Sequence, residues 1–543
     1  MSSRPPLVPP ATQGGGTASA APTRTFLGSL ELTALERPDE RALVGTDASR
    51  TWHELRERSV RVANGLRAAG VGPGDRVAFL GRNSLEYFDV LYGVARAGAV
   101  LTALNWRLSP REVDTLVEHS DAKVVVVDQG LLDLLLAARP GLRGIPTTLV
   151  YGPSASTGQG RPADPDRDLP GAAPFDVWLD EQSSEDVLPV VRPDDLATHT
   201  YTSGTTGRPK GVVHSFASLH ASLERASLLE ISADTVFLVA TPLFHANAAS
   251  GALTVLHAGG TCVVAPEAHP AVLLDLIERH RVTHSALVPT VIDNLVRSPE
   301  LAARDTSSLR TLVYAGSPMP PGLLDRTREA LPAVRLIQVY GATETIGMTV
   351  LTHEDHEHHA HTAGRPMPGV TLRLVDPVTG VDITDAGLPG EVQVQSPTAM
   401  AGYWQRPDAT ASTITQDGYI RTGDIGVLDG GYLTLVDRLD DMIITGGENV
   451  YPAEVENVLI DHPDVAEVAV VGVPSEKWGE SVLATVVLVP GRTGAVTAAE
   501  LIAFARARLA AYKCPTSVRF ADELPRNATG KVLRSALRAS ARS

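Results

Sequence analysis

The sequence predicts an α/β protein with a large N-terminal domain and a small C-terminal domain. From about residue 26 onward, amphipathic helical patterns alternate with short β-branched runs, which is typical of layered α/β folds. The chain has 543 residues, more than one compact core accommodates, so several domains are expected. Hydrophobic residues make up 43% and charged residues 20%, which provides enough apolar surface for large cores.

The first α/β series of the N-terminal domain begins with a helical pattern over 52–70, which ends on Gly70. A buried strand follows at 76–81. The same unit then repeats, with helices at 85–97 and 110–119 and a strand at 123–128. The next segment, 152–195, is rich in Pro, Gly and Asp, and we interpret it as a surface connection.

A second α/β series follows, in which amphipathic helices separate the predicted strands. These strands are 236–240, 261–265, 284–289, 311–316 and 335–341. Parallel strands with crossover helices place their loops at the carboxyl ends, where ligands of open sheets bind. We therefore expect functional residues immediately after these strands.

The texture changes after about residue 366 to short strands and turns, which predicts a small β-rich subdomain. Beyond Arg438, strands at 468–473 and 483–490 and a helix near 498–511 predict a separate α+β domain of about 100 residues. We predict a disordered tail over 1–25, which is rich in Pro, Gly, Ala and Ser. The N-terminal domain then covers 26–438 and the C-terminal domain 439–543.

Charge and cysteine usage restrict the class of protein. The formal net charge is -16, from 47 Lys+Arg against 63 Asp+Glu, which argues against a nucleic acid as partner. Neither Cys262 nor Cys514 has metal-ligand or CxxC spacing, so both are predicted to be buried or inert thiols of a reducing compartment. We find no signal-peptide pattern and no apolar run long enough for an integral membrane segment, and expect a cytoplasmic protein.

The strongest motif is YTSGTTGRPKGV, from Tyr201 to Val212. It combines hydroxyls, flexible backbone and the ammonium of Lys210, a composition suited to wrapping phosphate oxygens. It is not a Walker A loop, because Pro209 precedes the lysine and Gly211 follows it. Its flanks resemble strands, so we predict a phosphate-binding loop between two strands; the alternative is a plain polar hairpin.

Four further candidates are weak when each is taken alone. Glu344 follows the predicted strand that ends near Tyr340, where it could hold Mg²⁺ with phosphate oxygens, or simply be a solvated residue. Asp424 and Arg438 flank short strands, and a carboxylate there could accept ribose hydroxyls or could belong to a turn. Lys531 lies in a turn signal, where a solvated charge is the usual interpretation.

Histidines offer two more candidates. His245 follows the strand 236–240 on an apolar flank, where it could line an acyl site or be a packed core residue. The segment 353–361 contains five histidines within nine residues, which suggests a metal site. Its acidic residues are interleaved and its spacing is irregular, so we favour a solvated loop.

Taken in order, the motifs resemble the series of the adenylate-forming superfamily, and most closely that of acyl-CoA synthetases. The resemblance covers about residues 30 to 535, nearly the whole chain. The motifs are YTSGTTGRPKGV, TPLFH, YAGSPM, YGATE, GYW (402–404), TGD (422–424), DRLDDMIITGGENVYPAEVE (437–456) and PRNATGKVLR (525–534).

The resemblance implies a fold and a two-step reaction. Members have an N-terminal domain of three subdomains and a small mobile C-terminal domain. ATP and a carboxylic acid first form an acyl-adenylate with release of pyrophosphate, and coenzyme A then attacks the adenylate. Mg²⁺ is the expected cofactor, and the expected partners are the acid, ATP and CoA.

The resemblance also implies a role for each matching residue. The β- and γ-phosphates would be held by Thr202, Ser203, Gly204, Thr205, Thr206, Gly207 and Lys210, the α-phosphate would be contacted by Thr343, and Mg²⁺ would be held by Glu344. Adenine would be flanked by Gly316, Ser317, Tyr340 and Gly341, ribose would be bound by Asp424 and Arg438, and the electrostatic catalyst of the first step would be Lys531. The acyl pocket would be lined by His245, Asn247 and Gly341, CoA would meet Gly446, Gly447 and Glu448, and the hinge would be Asp440.

Some questions stay open at this point. Many members have Gly where this chain has Asp437, which puts hinge dynamics in question. Asn247 resembles fatty-acid-activating members, but the small Ala249 and Ser250 leave the pocket depth undetermined. The acceptor could instead be a carrier-protein thiol, an amine or another small nucleophile. A catalytically silent nucleotide-binding relative is disfavoured because Lys531 and Glu344 are both present.

Overall fold

A computed structural model describes residues 25–138, 147–152, 172–186, 191–202, 209–445, 448–475, 478–492, 494–526 and 532–541. The chain divides into two compact units. Unit 1 comprises the residues up to 360 together with 366–371 and 395–420, and unit 2 comprises 361–365, 372–394 and the residues from 421 onward. Apart from Thr25, the predicted disordered tail (1–25) lies outside the described residues.

The helices within the described ranges are α1 Phe26–Glu36, α2 Trp52–Ala68, α3 Leu85–Arg96, α4 Pro110–Ser120, α5 Leu132–Ala137, α6 Phe175–Asp180, α7 Phe216–Leu223, α8 Ala246–His257, α9 Pro270–His280, α10 Pro289–Val296, α11 Pro321–Ala330, α12 His356–His359, α13 Pro407–Thr413, α14 Pro452–Ile460, α15 Ala498–Arg506 and α16 Arg534–Ser540. Local sequence explains several starts. Thr51, Ser109 and Thr497 each form a capping box with a glutamate three residues later.

The strands are β1 Arg41–Val44, β2 Ser49–Thr51, β3 Arg76–Leu80, β4 Val100–Leu104, β5 Ala122–Asp128, β6 Thr147–Tyr151, β7 Ala172–Pro174, β8 Leu196–Thr202, β9 Lys210–Ser215, β10 Val236–Val239, β11 Thr261–Val264, β12 His284–Leu287, β13 Thr311–Ala315, β14 Arg335–Tyr340, β15 Thr349–Leu351, β16 Arg365–Pro366, β17 Thr371–Val375, β18 Gly390–Gln395, β19 Gly402–Tyr403, β20 Ile420–Asp429, β21 Tyr432–Arg438, β22 Ile443–Thr445, β23 Glu448–Val450, β24 Val465–Ser475, β25 Gly479–Leu488 and β26 Ser517–Phe520.

Unit 1 contains two mostly parallel sheets. The first has the order β15-β14-β13-β12-β10-β11-β1-β2, and the second the order β19-β9-β8-β4-β3-β5-β6-β7. Only the pairs near the sheet edges, such as β14 with β15 and β8 with β9, are antiparallel. Crossover helices connect the parallel strands, as the sequence predicted, so the strand ends that carry the motifs share one edge of each sheet.

The core of unit 1 lies in layers around these sheets. A central helical layer of α1, α2, α3 and α8 packs between the two sheets and includes the fully buried Trp52 and Phe88. Helices α9, α10 and α11 cover the other face of the first sheet, and α4 and α5 cover the other face of the second. Burial on both faces explains why these strands are nearly continuous apolar runs.

Unit 2 is built from smaller sheets. One has the order β17-β18-β20-β21, which confirms the predicted β-rich texture after residue 366. The other has the order β23-β22-β25-β24, with β26 on β25, and packs against α14 and α15. Both strands predicted at 468–473 and 483–490 are present, within β24 and β25.

One prediction about the fold is wrong. The segment 152–195 is not only a surface connection, because it contains the strand β7 and the helix α6. Phe175 of α6 is completely buried, and β7 pairs with β6 at the edge of the second sheet. The surrounding Pro, Gly and Asp content concealed these short elements.

Both cysteines are free and buried, as predicted, and burial raises the pKa of each thiol. Among the helices of the described ranges, none combines the length and the apolar composition needed to cross a bilayer.

Candidate active site

The phosphate-loop motif connects two paired strands of unit 1. β8 and β9 are antiparallel, with Thr202 opposite Lys210 in the register. The threonine hydroxyl donates to the carbonyl of Lys210 at 3.5 Å. This confirms the predicted strand–loop–strand arrangement, while Ser203, Gly204, Thr205, Thr206 and Gly207 lie outside the described residues.

The side chain of Tyr403 contacts both Lys210 and Glu344. The ammonium of Lys210 lies 4.9 Å from the centre of the Tyr403 ring, and the Tyr403 hydroxyl donates to Oε1 of Glu344 at 2.7 Å. Burial and the neighbouring carboxylate raise the pKa of Tyr403, so it remains a hydrogen-bond donor at neutral pH. Tyr403 belongs to the GYW motif, but sequence reasoning gave it no individual role.

Glu344 lies in a tight turn between β14 and β15. Gly341 begins this turn, and a Cβ at this position would overlap the carbonyl of Ile346, so only glycine fits. Ile346 has φ +57°, a left-handed conformation that is unfavourable for a β-branched residue. Such strain persists where the surroundings hold the backbone in place, and it is frequent at functional sites.

The remaining adenine-site candidates lie at the same sheet edge. Gly316 and Ser317 follow β13, while Tyr340 and Gly341 follow or end the adjacent parallel strand β14. Gly316 has φ +87°, which allows the sharp turn at the end of β13, and Ser317 is exposed. Thr343 is half-buried in the turn before Glu344.

Two residues that support this turn were missed by sequence reasoning. His214 of β9 donates from Nε2 to the Thr343 carbonyl at 2.8 Å, and burial lowers its pKa to about 4, so it is neutral. Arg225 is buried and donates to the carbonyl of Gly347 and to Thr398. Thr398 in turn donates to the carbonyl of Thr345 at 2.6 Å. These contacts join residues far apart in sequence, so no local pattern could reveal them.

The acyl-pocket candidates surround the start of α8. His245 precedes this helix, and burial together with the charge of Arg107 lowers its pKa to about 4. Asn247 lies in the first turn of α8 and is half-buried. A cavity under the second sheet is lined by the neighbouring Ala246 and by Ile346 of the Glu344 turn. Ala246 is the chain neighbour of His245 and Asn247, and Ile346 lies against Gly341, so the cavity borders all three predicted positions through their neighbours.

Asp424 and Arg438 are paired in unit 2. They lie opposite each other on β20 and β21, and the Arg438 Nε lies 3.1 Å from Oδ1 of Asp424. The arginine also donates to the carbonyl of Thr422. The two predicted ribose ligands thus form one ion pair at the edge of this sheet.

Asp437, the position at which the sequence departs from the motif series that it resembles, has a structural partner in unit 2. Its Oδ2 accepts from the backbone N–H of Ala453 in the first turn of α14 at 2.8 Å. An acceptor there satisfies one of the free N–H groups of the helix start. Burial raises the pKa of Asp437. The predicted hinge residue, Asp440, lies in a short 3₁₀ turn over Leu439–Asp441.

Lys531 itself lies outside the described residues, but the flanks of its loop are paired. Arg526 and Val532 form an antiparallel bridge, and the N–H of Leu533 donates to the carbonyl of Pro525 at 2.7 Å. Arg534 binds both carboxylate oxygens of Glu456 and also contacts Asp441. These contacts attach α16 to α14 and to the 3₁₀ turn.

Of the predicted CoA-binding residues, Gly446 and Gly447 lie outside the described residues, and Glu448 begins β23. The histidine-rich segment contains the short helix α12. His356 is 2% exposed and hydrogen-bonds to Tyr314 and to the Thr352 carbonyl, so the prediction of a solvated loop is wrong for His356. Within the described ranges, no three or more His, Cys, Asp or Glu side chains come together as a group that could hold a metal ion.

Comparison with known proteins agrees with this arrangement. The family profile described as "AMP-binding enzyme" matches residues 30–404, and "AMP-binding enzyme C-terminal domain" matches residues 454–531. The chain is 38% identical to feruloyl-CoA synthase from Amycolatopsis sp over 90% of this chain and 93% of that protein. It is 36% identical to the fatty acid–[acyl-carrier-protein] ligase ScoC from Streptomyces coeruleorubidus over 95% of this chain and 96% of that protein.

A solved structure shows the same fold. The crystal structure of ATP-bound MatB from Rhodopseudomonas palustris matches with a TM-score of 0.83 and 32% identity, covering 95% of this chain and 99% of that one. The chain belongs to the AMP-binding enzyme family, the adenylate-forming enzymes that the motif series predicted. It is an AMP-forming acid–thiol ligase of the acyl-CoA synthetase class, with ATP and CoA as co-substrates.

Proposed function

We propose that this enzyme activates a fatty-acid-type carboxylic acid as an acyl-adenylate in a Mg²⁺-dependent step and then transfers the acyl group to CoA. The observation that carries the proposal is the arrangement of Lys210, Tyr403 and Glu344, which brings a cation and a carboxylate of two predicted phosphate motifs to one tyrosine. A site for Mg·ATP requires both charges, one for phosphate oxygens and one for the metal ion.

The phosphate site would consist of the loop between β8 and β9 together with Lys210. In this proposal Thr202, Ser203, Gly204, Thr205, Thr206, Gly207 and Lys210 hold the β- and γ-phosphates, Gly316, Ser317, Tyr340 and Gly341 flank adenine, and Thr343 contacts the α-phosphate. The position of the last five residues after two adjacent parallel strands supports this assignment, because ligands bind at that edge of an open sheet.

Glu344 fits the requirements of a magnesium ligand. Mg²⁺ is commonly held by one or two carboxylates with phosphate oxygens and water, and the Glu344 carboxylate is half-buried and hydrogen-bonded to Tyr403. The ion, when bound, would neutralise charge on the triphosphate. The donor from Tyr403 would hold the carboxylate in one orientation, so that less side-chain freedom is lost on binding.

The sugar and the reacting phosphate would be held by groups of unit 2. The carboxylate of Asp424 can accept both ribose hydroxyls, and its ion pair with Arg438 keeps it oriented. Lys531 would counter the charge that develops at the α-phosphate and the attacking carboxylate. The bridge between Arg526 and Val532 pairs the described residues on either side of the segment that contains Lys531.

The second step would use other residues of the C-terminal part. We propose that Gly446, Gly447 and Glu448 meet CoA, that Asp440 is the hinge, and that the domains are 26–438 and 439–543 after a tail of 1–25. The acyl group would enter between His245, Asn247 and Gly341. Neutral His245 suits an apolar acyl chain, since it adds no buried charge. Two buried free cysteines support a cytoplasmic location.

The acceptor of the acyl group has one rival. ScoC, which is 36% identical, is a ligase that acts with an acyl carrier protein, so a carrier thiol is the second candidate acceptor. The 38% identity to feruloyl-CoA synthase supports CoA as the acceptor. Both readings predict adenylate formation and pyrophosphate release, and they differ only in the thiol.

The test is a pyrophosphate-release screen over short, medium and long fatty acids, aryl acids and dicarboxylates. Each acid is assayed with no thiol, with CoA and with a phosphopantetheinylated carrier protein, and the thioester is measured by mass spectrometry. We expect the enzyme to release pyrophosphate from ATP when a fatty acid is present, and to form the thioester when CoA is added. Thioester formation on the carrier protein alone would overturn the CoA assignment, and Mg²⁺-independent pyrophosphate release would overturn the role of Glu344.

A further inference from the structure

The cavity of unit 1 is lined by both apolar and polar residues. Its lining includes Ala246, Ala249 and Leu253 from one face of α8, and Leu101 and Ala103 from β4. These residues form an apolar surface close to the predicted acyl position. The strand β8, which lies next to β4, contributes a polar part of the lining.

Two threonine hydroxyls form this polar part. Thr198 and Thr200 are two residues apart on β8, so their side chains lie on the same face of the sheet, and both line the cavity. In the parallel register they lie beside Leu101 and Ala103 of β4. Thr200 is only 8% exposed.

Within the described part of the chain, neither hydroxyl makes a hydrogen bond to a protein atom. This distinguishes them from two other polar residues of the lining, His214 and Ser250. His214 donates to the Thr343 carbonyl, and the Ser250 hydroxyl donates to Ser222 at 3.0 Å. Buried hydroxyls are normally paired, because leaving one without a partner loses the hydrogen bonds it made in water. Two neighbouring threonines that line a cavity and whose hydroxyls have no protein partner therefore favour an occupant with a polar group.

We propose that Thr198 and Thr200 bind a hydroxyl or carbonyl oxygen on the chain or ring of the acid substrate, remote from its carboxylate. The preferred substrates would then be oxygenated acids rather than plain alkanoic acids. This inference rests on the proposed function, since it assumes that the cavity holds the acyl group. A site built to pair with such an oxygen discriminates strongly against an analogue that lacks it, because its own hydroxyls are then left unpaired.

The experiment compares matched pairs of acids. Octanoic acid is paired with hydroxyoctanoic acids that carry the hydroxyl at successive carbons, and cinnamic acid with its ring-hydroxylated forms. The readout is kcat/KM for pyrophosphate release in the full-length enzyme. For wild type we expect at least one oxygenated acid to exceed its plain counterpart by about tenfold or more.

Variants assign this preference to the two hydroxyls. Thr198→Val with Thr200→Val keeps the side-chain shape but removes both hydroxyls, and we expect the preference to fall to about one or to invert. Thr198→Ser with Thr200→Ser keeps both hydroxyls and should retain the preference. Thr102→Val is the matched control, because Thr102 lies on the opposite face of the same sheet, facing His199. Thermal unfolding of each variant checks that the fold is kept.

Two outcomes would overturn the inference while the proposed function stands. One is a wild-type enzyme that makes CoA thioesters but prefers the plain member of every pair. The other is a preference that the double valine variant leaves unchanged, as expected if water satisfies both hydroxyls. If none of the acids supported pyrophosphate release, that result would instead overturn the proposed function, and the inference with it.

Discussion

The hydroxyl of Tyr403 donates a hydrogen bond to Oε1 of Glu344 at 2.7 Å, and the same tyrosine ring carries the ammonium of Lys210 on its face. The two charged residues come from motifs more than a hundred residues apart in the printed sequence. Tyr403 belongs to β19, which pairs with β9 beyond the Lys210 end of the loop. Strand pairing therefore sets the position of the phosphate loop relative to the proposed magnesium ligand.

Tyr403→Phe should weaken the first step without unfolding the enzyme. The ring under Lys210 is kept, but Glu344 loses its donor and becomes free to rotate. We expect a decrease of about tenfold in kcat/KM for adenylation, from a hydrogen bond to a charged group worth about 1.5 kcal/mol. The change should be accompanied by a higher Mg²⁺ concentration at half-maximal rate. Tyr512→Phe, at an exposed tyrosine, is the control. An unchanged Mg²⁺ dependence would show that Tyr403 does not position Glu344.

The stability of unit 1 should fall as pH is lowered below 6.5. Burial lowers the pKa of His214 and of His245 to about 4 and that of His199 to about 3. Groups with lowered pKa values bind fewer protons in the folded state, so they stabilise the fold above pH 6.5 and lose this contribution as pH falls through their folded values. Each gives a slope of about 1.4 kcal/mol per pH unit between these limits.

His214→Gln isolates one of these histidines, because the amide can still donate to the Thr343 carbonyl but does not titrate. Urea unfolding at several pH values between 4.5 and 7 should show a slope that is smaller by about one proton than in wild type. His358→Gln, at an exposed histidine with no such partner, should leave the slope as it is. Equal slopes in all three proteins would contradict the assignment.

Glu456→Gln should destabilise unit 2 strongly. Arg534 would keep its half-buried charge and its contact with Asp441, but lose the carboxylate that binds it with both oxygens. Losing the hydrogen bonds of a half-buried charged group to its main partner costs about 1.5–3 kcal/mol. The control is Glu467→Gln, which breaks the exposed pair with Arg526 and should cost less than about 1 kcal/mol. Denaturant unfolding measures both, and similar losses in the two variants would be inconsistent with this difference in burial.

Asp437→Gly tests what the hydrogen bond between Asp437 and Ala453 contributes. The substitution removes the acceptor for the N–H of Ala453, so α14 should lose about 1 kcal/mol. Asp437→Asn keeps an acceptor oxygen and should lose little. If the contact also slows rotation of the C-terminal domain, the glycine variant should change the rate of thioester formation more than that of adenylation. Equal effects on both steps would remove Asp437 from the hinge.

Most elements of the fold could be predicted from local patterns. The strands of both α/β series are apolar runs bounded by turn residues, and capping boxes mark several helix starts. The elements β7 and α6 were missed because they are only three and six residues long and because turn-forming residues dominate the segment around them. Burial of Phe175 depends on packing that the local composition does not express.

The candidate site was predicted less completely. Motif order identified Lys210, Glu344, Asp424 and Arg438, and the structure pairs the last two on adjacent strands. His214, Arg225 and Tyr403 received no role, because each acts through a contact with a distant part of the chain. The buried His356 was assigned to a solvated loop because charged neighbours dominate the local composition.

The sequence by itself determined the family, the two-step chemistry and most of the residue types at the site, because these depend on short motifs in a fixed order. Only the tertiary structure decided which side chains face each other. Strand pairing places Tyr403 beside Glu344, although the two residues are 59 positions apart in the sequence. Strand register also places Thr198 and Thr200 on the same face of the sheet, where both line the cavity. Such contacts arise from the pairing of distant strands and the alternation of side chains, and neither is encoded within a single motif.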